Sequence, residues 1–260
     1  MGVVPFRSYP ATERGMNKLD TDREWEKWGE CDPYYGVITR EQFRRKNLGQ
    51  TEKEEFFASG RNHVDYVLNL CRAKVDPQFK PRRTLDFGCG VGRVTFALAS
   101  VSQTVVGVDV AASMLREAEA NRQALGVDNV IFSKSDDQLS NIEGAFDFIH
   151  SFLVFQHLEV NRGRAIFATL LERLSQGGVF VAHFTYGKAR HARTFGWPPR
   201  SELLPPDGAV DAPDVDPVML MNPYDVNGIL FVMQHAGIQS FFTQFTDHGG
   251  ELGILLCFQK

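Results

Sequence analysis

The chain has 260 residues, 43% hydrophobic and 23% charged, with a formal net charge of -4 at pH 7. These values exclude a disordered chain and one built of membrane-spanning segments, and the acidic balance argues against binding nucleic acid mainly by phosphate neutralisation. Aromatic residues make up 12%, with 21 Phe, so either the core is rich in phenylalanine or part of this surplus lines a ligand cavity.

The opening residues, MGVVPFRSYPATERGMN, hold no apolar run of signal-peptide length, and Phe6 stands where a myristoylation signal would want Ser or Thr. Cys31, Cys71, Cys89 and Cys257 are scattered without CxxC or Cys/His spacing. Neither a disulfide framework nor a metal site is expected, and a reducing cytoplasm fits best. Residues 1–50 read as a leader or lid ahead of a main domain over 51–260. In and just after the leader, Trp25, Trp28, Tyr34, Tyr35, Phe56 and Phe57 either cover a ligand or pack on the core.

Thr51-Glu52-Lys53-Glu54 has the form of a capping box and predicts a helix from there towards Ala73, with Val64, Val67, Leu68 and Cys71 as its apolar stripe. From Thr84 the pattern changes to short apolar runs alternating with amphipathic stretches, which predicts βαβ units around a parallel sheet. Strands are expected at Thr84 to Cys89, Thr104 to Val110, Val130 to Ser135, Phe146 to Phe152 and Val179 to Phe184. Helices are expected at Ser113 to Leu125, stopped by Gly126, and at Arg164 to Leu174, after which Gln176-Gly177-Gly178 turns the chain into a strand. Seven of the 12 prolines lie between Lys188 and Asn227, where no periodicity survives, so residues 188–227 read as an inserted loop or lid. Asp225 then caps a helix with Val226, Ile229, Leu230 and Met233 inward. Two apolar runs about Thr246-Asp247-His248-Gly249-Gly250 predict a closing hairpin.

The chemistry is concentrated at Thr84-Leu85-Asp86-Phe87-Gly88-Cys89-Gly90-Val91-Gly92-Arg93, a strand that breaks into a glycine turn and opens a helix. Such glycines admit positive φ and let a ligand press against backbone amides. Asp109 follows Gly88 by 21 residues at the tip of the next strand, where an ionised carboxylate can accept from both ribose hydroxyls of an adenosine-containing ligand. A dinucleotide fingerprint would place its third glycine where this chain has Arg93. Here the third glycine is Gly92, and Asp86 stands two residues before the first, where it suits a ligand ammonium better than a pyrophosphate.

On these residues the chain resembles the class I S-adenosylmethionine-dependent methyltransferases, whose first motif is an acid, one residue, then GxGxG. The resemblance is to the bacterial small-molecule type, in part through the leader EWEKWGECDPYYGVITREQFRR. It implies a Rossmann-like, doubly wound seven-stranded sheet, mostly parallel with one antiparallel strand, in the order 3-2-1-4-5-7-6, with a helical N-terminal cap. It implies S-adenosylmethionine as cofactor, with Asp86, Gly88, Gly90 and Gly92 at the methionine portion, Asp109 at the ribose, and Cys89, Val110, Met114 and Ser151 also among the cofactor-binding residues. Asp136, with Asp137 as the register alternative, would meet the adenine, and Ser151 would lie in the loop after the fourth strand. The acceptor would be a small molecule such as a sugar or a natural product bearing a hydroxyl or amine, with neither nucleic acid nor membrane as partner and the oligomeric state left open.

His157 lies just past the fourth strand, where an imidazole can take a proton from an acceptor, although a histidine before a helix more often satisfies local backbone groups. His150, His183 and Tyr186 share that ambiguity. Asn222-Pro223-Tyr224 lacks the second proline and the position of the Asn-Pro-Pro-Tyr motif of amino-methyltransferases and reads as a turn into the last helix. Two rivals stay open, a nicotinamide-dependent (NAD(P)) oxidoreductase and a non-catalytic S-adenosylmethionine-binding protein.

Overall fold

A computed structural model describes residues 20–199 and 216–260. The central part of the proline-rich stretch, including Pro205-Pro206, lies outside these residues, as do the first 19. The described leader contains α1 (Thr21–Cys31) and α2 (Pro33–Val37), followed by the long α3 (Gln50–Lys74). Then come β1 (Arg83–Phe87), α4 (Thr95–Ala99), β2 (Thr104–Asp109), α5 (Ala112–Leu125), β3 (Val130–Lys134), β4 (Phe146–Ser151) and α6 (Val160–Arg173). The remainder is β5 (Leu174–Lys188), α7 (Val226–His235), β6 (Phe242–Asp247) and β7 (Glu251–Gln259).

The strands form one sheet in the order β3-β2-β1-β4-β5-β7-β6, parallel except for β7, which runs antiparallel to both its neighbours. Alternation of side chains along each strand feeds two apolar layers. Leu85, Ile149, Phe180, Phe184 and Phe258 face α6 and α7, where Ile166, Phe167, Ile229 and Met233 are buried. Phe148, Val181 and Cys257 face the opposite layer, which holds Val64, Val67 and Leu68 of α3 and Trp28, Tyr34, Phe43 and Phe56 at or near the leader. Trp28, Tyr34, Phe56 and Phe57 are therefore core residues, and the aromatic surplus is mostly packing. No helix among the described residues is long and apolar enough to cross a membrane.

Two local expectations shift. The capping box is not at Thr51 and Glu54: α3 begins two residues earlier, and the Glu52 carboxylate accepts from the N–H of Gly49 at 2.9 Å. Glycine is nearly as acceptable at an N-cap as threonine, so the helix gains half a turn and Thr51 falls inside it. β5 starts directly after α6, with Phe146 paired to Leu174 and Phe148 to Val179, so the Gln176-Gly177-Gly178 turn is an irregularity inside the strand. Gly177, at φ 77°, carries it.

The leader is tied to the sheet at the N-terminus of α5. That helix starts after Ala111, which has no capping side chain. Glu26 of α1 supplies the missing acceptors, taking the Ser113 N–H on its carboxylate at 3.0 Å and the Ser113 hydroxyl on its backbone carbonyl at 2.8 Å. The approach is close enough that a Cβ on Gly29 would lie 2.1 Å from the Ser113 hydroxyl.

Candidate functional site

A cavity of about 420 Å³ opens at the C-terminal edge of the parallel strands, within the size range of small-molecule sites. At its centre β1 breaks into the turn from Gly88 to Gly92, whose three glycines have φ of 75°, 54° and 90°. None of the three has room for a side chain: a Cβ on Gly88 would come 2.4 Å from the Val154 side chain, one on Gly90 2.7 Å from Val37 of the leader, and one on Gly92 2.4 Å from the Phe96 ring. The turn is thus a cradle that any side chain would fill.

Asp109 closes β2 and accepts from the N–H groups of Gly90 and Ala111, each at 2.9 Å. Burial pushes its carboxyl up to about 6, against the opposing pull of these amides, so it is largely ionised at neutral pH. Asp86 lies on the next strand and shares a sheet face with its β4 partner His150. Its two oxygens take the Thr95 hydroxyl at 2.6 Å and His150 Nδ1 at 3.0 Å, and His150 Nε2 lies 2.9 Å from His63 Nε2. With Asp86 ionised, the tautomers follow: His150 donates from Nδ1 and accepts from His63 at Nε2. This chain of contacts fixes the Asp86 carboxylate beside the glycine turn.

Of the residues expected at a cofactor site, Asp86, Gly88, Cys89, Gly90, Asp109, Val110, Met114, Asp136 and Asp137 line this one cavity. Gly92 and Ser151 do not. Gly92 packs against the Phe96 ring, and Ser151 points its hydroxyl into the protein, buried without a partner. The Asp136 carboxylate takes the N–H groups of Gln138 and Ser140 and so also caps the turn after β3, with Ser140 first among the backbone donors that hold its carboxyl below the usual range. Asp137 instead meets Arg162 through both of its oxygens.

His157 lines the cavity, but its nitrogens are engaged. Nδ1–H donates to the Leu220 carbonyl at 2.7 Å, and Nε2 faces the Gln156 amide nitrogen at 3.3 Å, whose carbonyl oxygen accepts from Thr185. Burial lowers its pKa to about 4. The lone pair a base would use is shared with Gln156, which favours the alternative of a histidine that satisfies local groups. Asn222 and Tyr224 clip the same loop from outside, donating to the carbonyls of Leu158 at 2.9 Å and Phe155 at 2.9 Å. Leu153, at φ 61°, is held in the left-handed region within this loop.

Further residues reach the cavity from distant parts of the chain, among them Trp25 of the leader aromatics. Trp25 lies edge-on to His157 with ring centroids 4.9 Å apart, and Asp22 and Arg162 meet through contacts of 2.7 and 2.8 Å. Met219 and Met221, within the proline-rich stretch, and His248 and Glu251, beyond it, complete the wall. Among the described residues no group of His, Cys, Asp or Glu could hold a metal ion.

Residues 84–178 match the family model of a methyltransferase domain. A protein of Geobacillus sp. (strain WCH70) that carries only a provisional methyltransferase name is 32% identical over 109 residues, 40% of this chain and 44% of that protein. The 23S rRNA (uracil(1939)-C(5))-methyltransferase of Xanthomonas euvesicatoria pv. vesicatoria is 37% identical over 73 residues, 28% of this chain and 15% of that one. The chain thus spans less than half the length of these curated relatives. Among solved structures, the magnesium protoporphyrin IX methyltransferase of Synechocystis PCC 6803 with bound S-adenosylhomocysteine superposes with a TM-score of 0.62 at 18% identity, covering 93% of this chain and all of that one. The N-methyltransferase NodS of Bradyrhizobium japonicum WM9 gives 0.53 at 14% identity, covering 88% and 99%. The fold is shared with both. Residues 84–178 are thus similar to a methyltransferase domain, and the sheet built around them has the fold of these methyltransferases.

Proposed function

We propose that this chain transfers a methyl group from S-adenosylmethionine to a small-molecule acceptor. The observation that carries this reading is a single cavity holding both acids of the sequence pattern, Asp86 and Asp109, beside a glycine turn that leaves room for a ligand and not for a Cβ. Asp109 is set to accept from the ribose hydroxyls, Asp86 to face the ammonium of the methionine tail, and Asp136 to border the adenine. When bound, the cofactor supplies a sulfonium-activated methyl group for in-line displacement. What the chain must then provide is placement of the acceptor and exclusion of water, and orientation of this kind can supply about 7–11 kcal/mol.

A small acceptor is favoured by the size of the cavity, about 420 Å³, and by its lining, which includes Trp25 and Val37 of the leader and Met219 and Met221. The net charge of -4 agrees. Calorimetric titration of the chain with S-adenosylmethionine, S-adenosylhomocysteine and NAD tests the cofactor reading. S-adenosylmethionine and S-adenosylhomocysteine should bind, and a folded Asp109→Ala variant should lose roughly 10- to 100-fold in affinity, as expected for hydrogen bonds to a charged group. Preferential binding of NAD, or undiminished affinity in that variant, would refute it.

A further inference from the structure

Three imidazoles stand in the cavity wall: His150, His157 and His248. The first two are committed, His150 to Asp86 and His63, His157 to Leu220 and Gln156. His248, in the turn between β6 and β7, makes no side-chain hydrogen bond among the described residues. Its ring is fixed by edge-on contacts to Phe152 (centroids 5.7 Å, 81°) and His183 (5.1 Å, 75°), which hold an imidazole in place without using its nitrogens. Burial lowers its pKa from the ordinary 6.5, with Asp247 opposing, so the ring is neutral and basic at pH 7.

Three residues further on, Glu251 enters the same wall. Its Oε1 meets Lys188 Nζ at 3.2 Å, while its Oε2 is buried with no partner. A buried carboxylate oxygen without a partner, on a residue of the cavity wall, can be satisfied by a ligand's N–H or O–H. Phe152 and the thioethers of Met219 and Met221 supply apolar, polarisable surface beside these two groups, which suits a flat ring.

We propose that this end of the cavity is the acceptor subsite, that it takes a small aromatic molecule bearing hydroxyl or amine groups, and that His248 receives the proton of the group being methylated while Glu251 accepts from a second donor on the same molecule. The proposal rests on the methyltransferase reading above. The acceptor oxygen or nitrogen forms its bond to the methyl carbon as the carbon–sulfur bond breaks. That electron pair stays on sulfur as a neutral thioether, and the acceptor's proton passes to His248 and then to water. The base is thus carried by the hairpin turn and not by the loop after β4.

The test uses the full chain and labelled S-adenosylmethionine with a panel of catechols, aminophenols, simple phenols and anilines, comparing wild type, His248→Asn and Glu251→Gln. Wild type should methylate the two-donor compounds in preference to the one-donor compounds. His248→Asn should lower kcat by about 10²- to 10⁴-fold, the usual contribution of a positioned base, with cofactor affinity unchanged. Glu251→Gln should raise the acceptor KM by roughly tenfold and erase the preference for two donors, as loss of one charge-assisted hydrogen bond predicts. A wild-type chain that binds S-adenosylmethionine yet methylates no member of the panel overturns the proposal, as does an unchanged kcat in His248→Asn or an unchanged KM in Glu251→Gln. A wild-type chain that fails to bind S-adenosylmethionine refutes instead the methyltransferase reading on which the proposal stands.

Discussion

Replacing Arg162 by methionine removes the cation that joins α1 to the cofactor end of the cavity. Its Nη1 and Nη2 meet the two oxygens of Asp22 at 2.7 and 2.8 Å, and its Nε and Nη2 meet Asp137 at 2.9 and 2.7 Å. The side chains are 27%, 36% and 42% exposed for Arg162, Asp22 and Asp137, so solvent screens both pairs. Exposed ion pairs contribute about 0.2–1 kcal/mol, and the two-point geometry puts the Asp22 pair near the upper end. About 1 kcal/mol of coupling corresponds to roughly a fivefold change in rate or affinity. Stopped-flow measurement of S-adenosylmethionine release should show dissociation about fivefold faster in Arg162→Met and in Asp22→Asn. The double variant should be no faster than Arg162→Met, because that substitution already removes the Asp22 contact, and the effect should shrink in high salt. Asp22→Asn isolates the leader, since it leaves the Asp137 contact intact. Additive effects, or release at the wild-type rate in Asp22→Asn, would show that the ion pair does not hold the leader over the cofactor.

Two more expectations concern Asp109 and α3. The folded carboxyl of Asp109 titrates at about 6, above its ordinary 3.8. Its contribution to stability is therefore fully present below about pH 3.8 and lost as the pH rises through about 6, where an anion must be kept buried. Denaturant titrations of the ligand-free chain between about pH 4 and pH 7 should show this fall in wild type and not in Asp109→Asn; parallel curves would contradict it. Affinity for S-adenosylmethionine should run the other way, weakening as the pH drops below about 6 and the ribose acceptor is protonated. At Gly60 in α3 an added Cβ would sit 2.0 Å from the backbone carbonyl oxygen of Arg93. Neither backbone can rotate away, so Gly60→Ala should cost about 1–3 kcal/mol, seen as a lowered Tm. An unchanged Tm would mean that α3 slides freely over the glycine turn.

The proposed cofactor half of the site is readable in the sequence because it is local. Asp86 and the glycines lie in one short segment, Asp109 ends the next strand, and alternating apolar positions announce both strands. The other half is assembled from a distance. Arg162 joins Asp22 and Asp137 only because α1 folds back across the sheet edge, and His248 reaches the cavity only because β7 runs antiparallel beside β5. No spacing rule links residues so far apart. The leader aromatics show a second limit: Trp25 reaches the cavity while Trp28, one helical turn on, is core, and the two differ in their place along α1 and not in residue type. His157 stood out by position alone, and only its bonds to Leu220 and Gln156 reveal why it is occupied.

The place of β7 between β5 and β6 sets a timetable for folding during synthesis. β1 to β4 can pair as soon as each connection between them has emerged from the ribosome. β5 can join β4, but its other edge, from Val179 to Lys188, waits for Glu251 to Gln259. Until then Phe180 and Phe184 belong to a strand with a row of unpaired backbone groups, a template for pairing with another chain. The nascent protein is thus most exposed to aggregation while residues 189–250 are being made, and chaperone demand should concentrate in that interval.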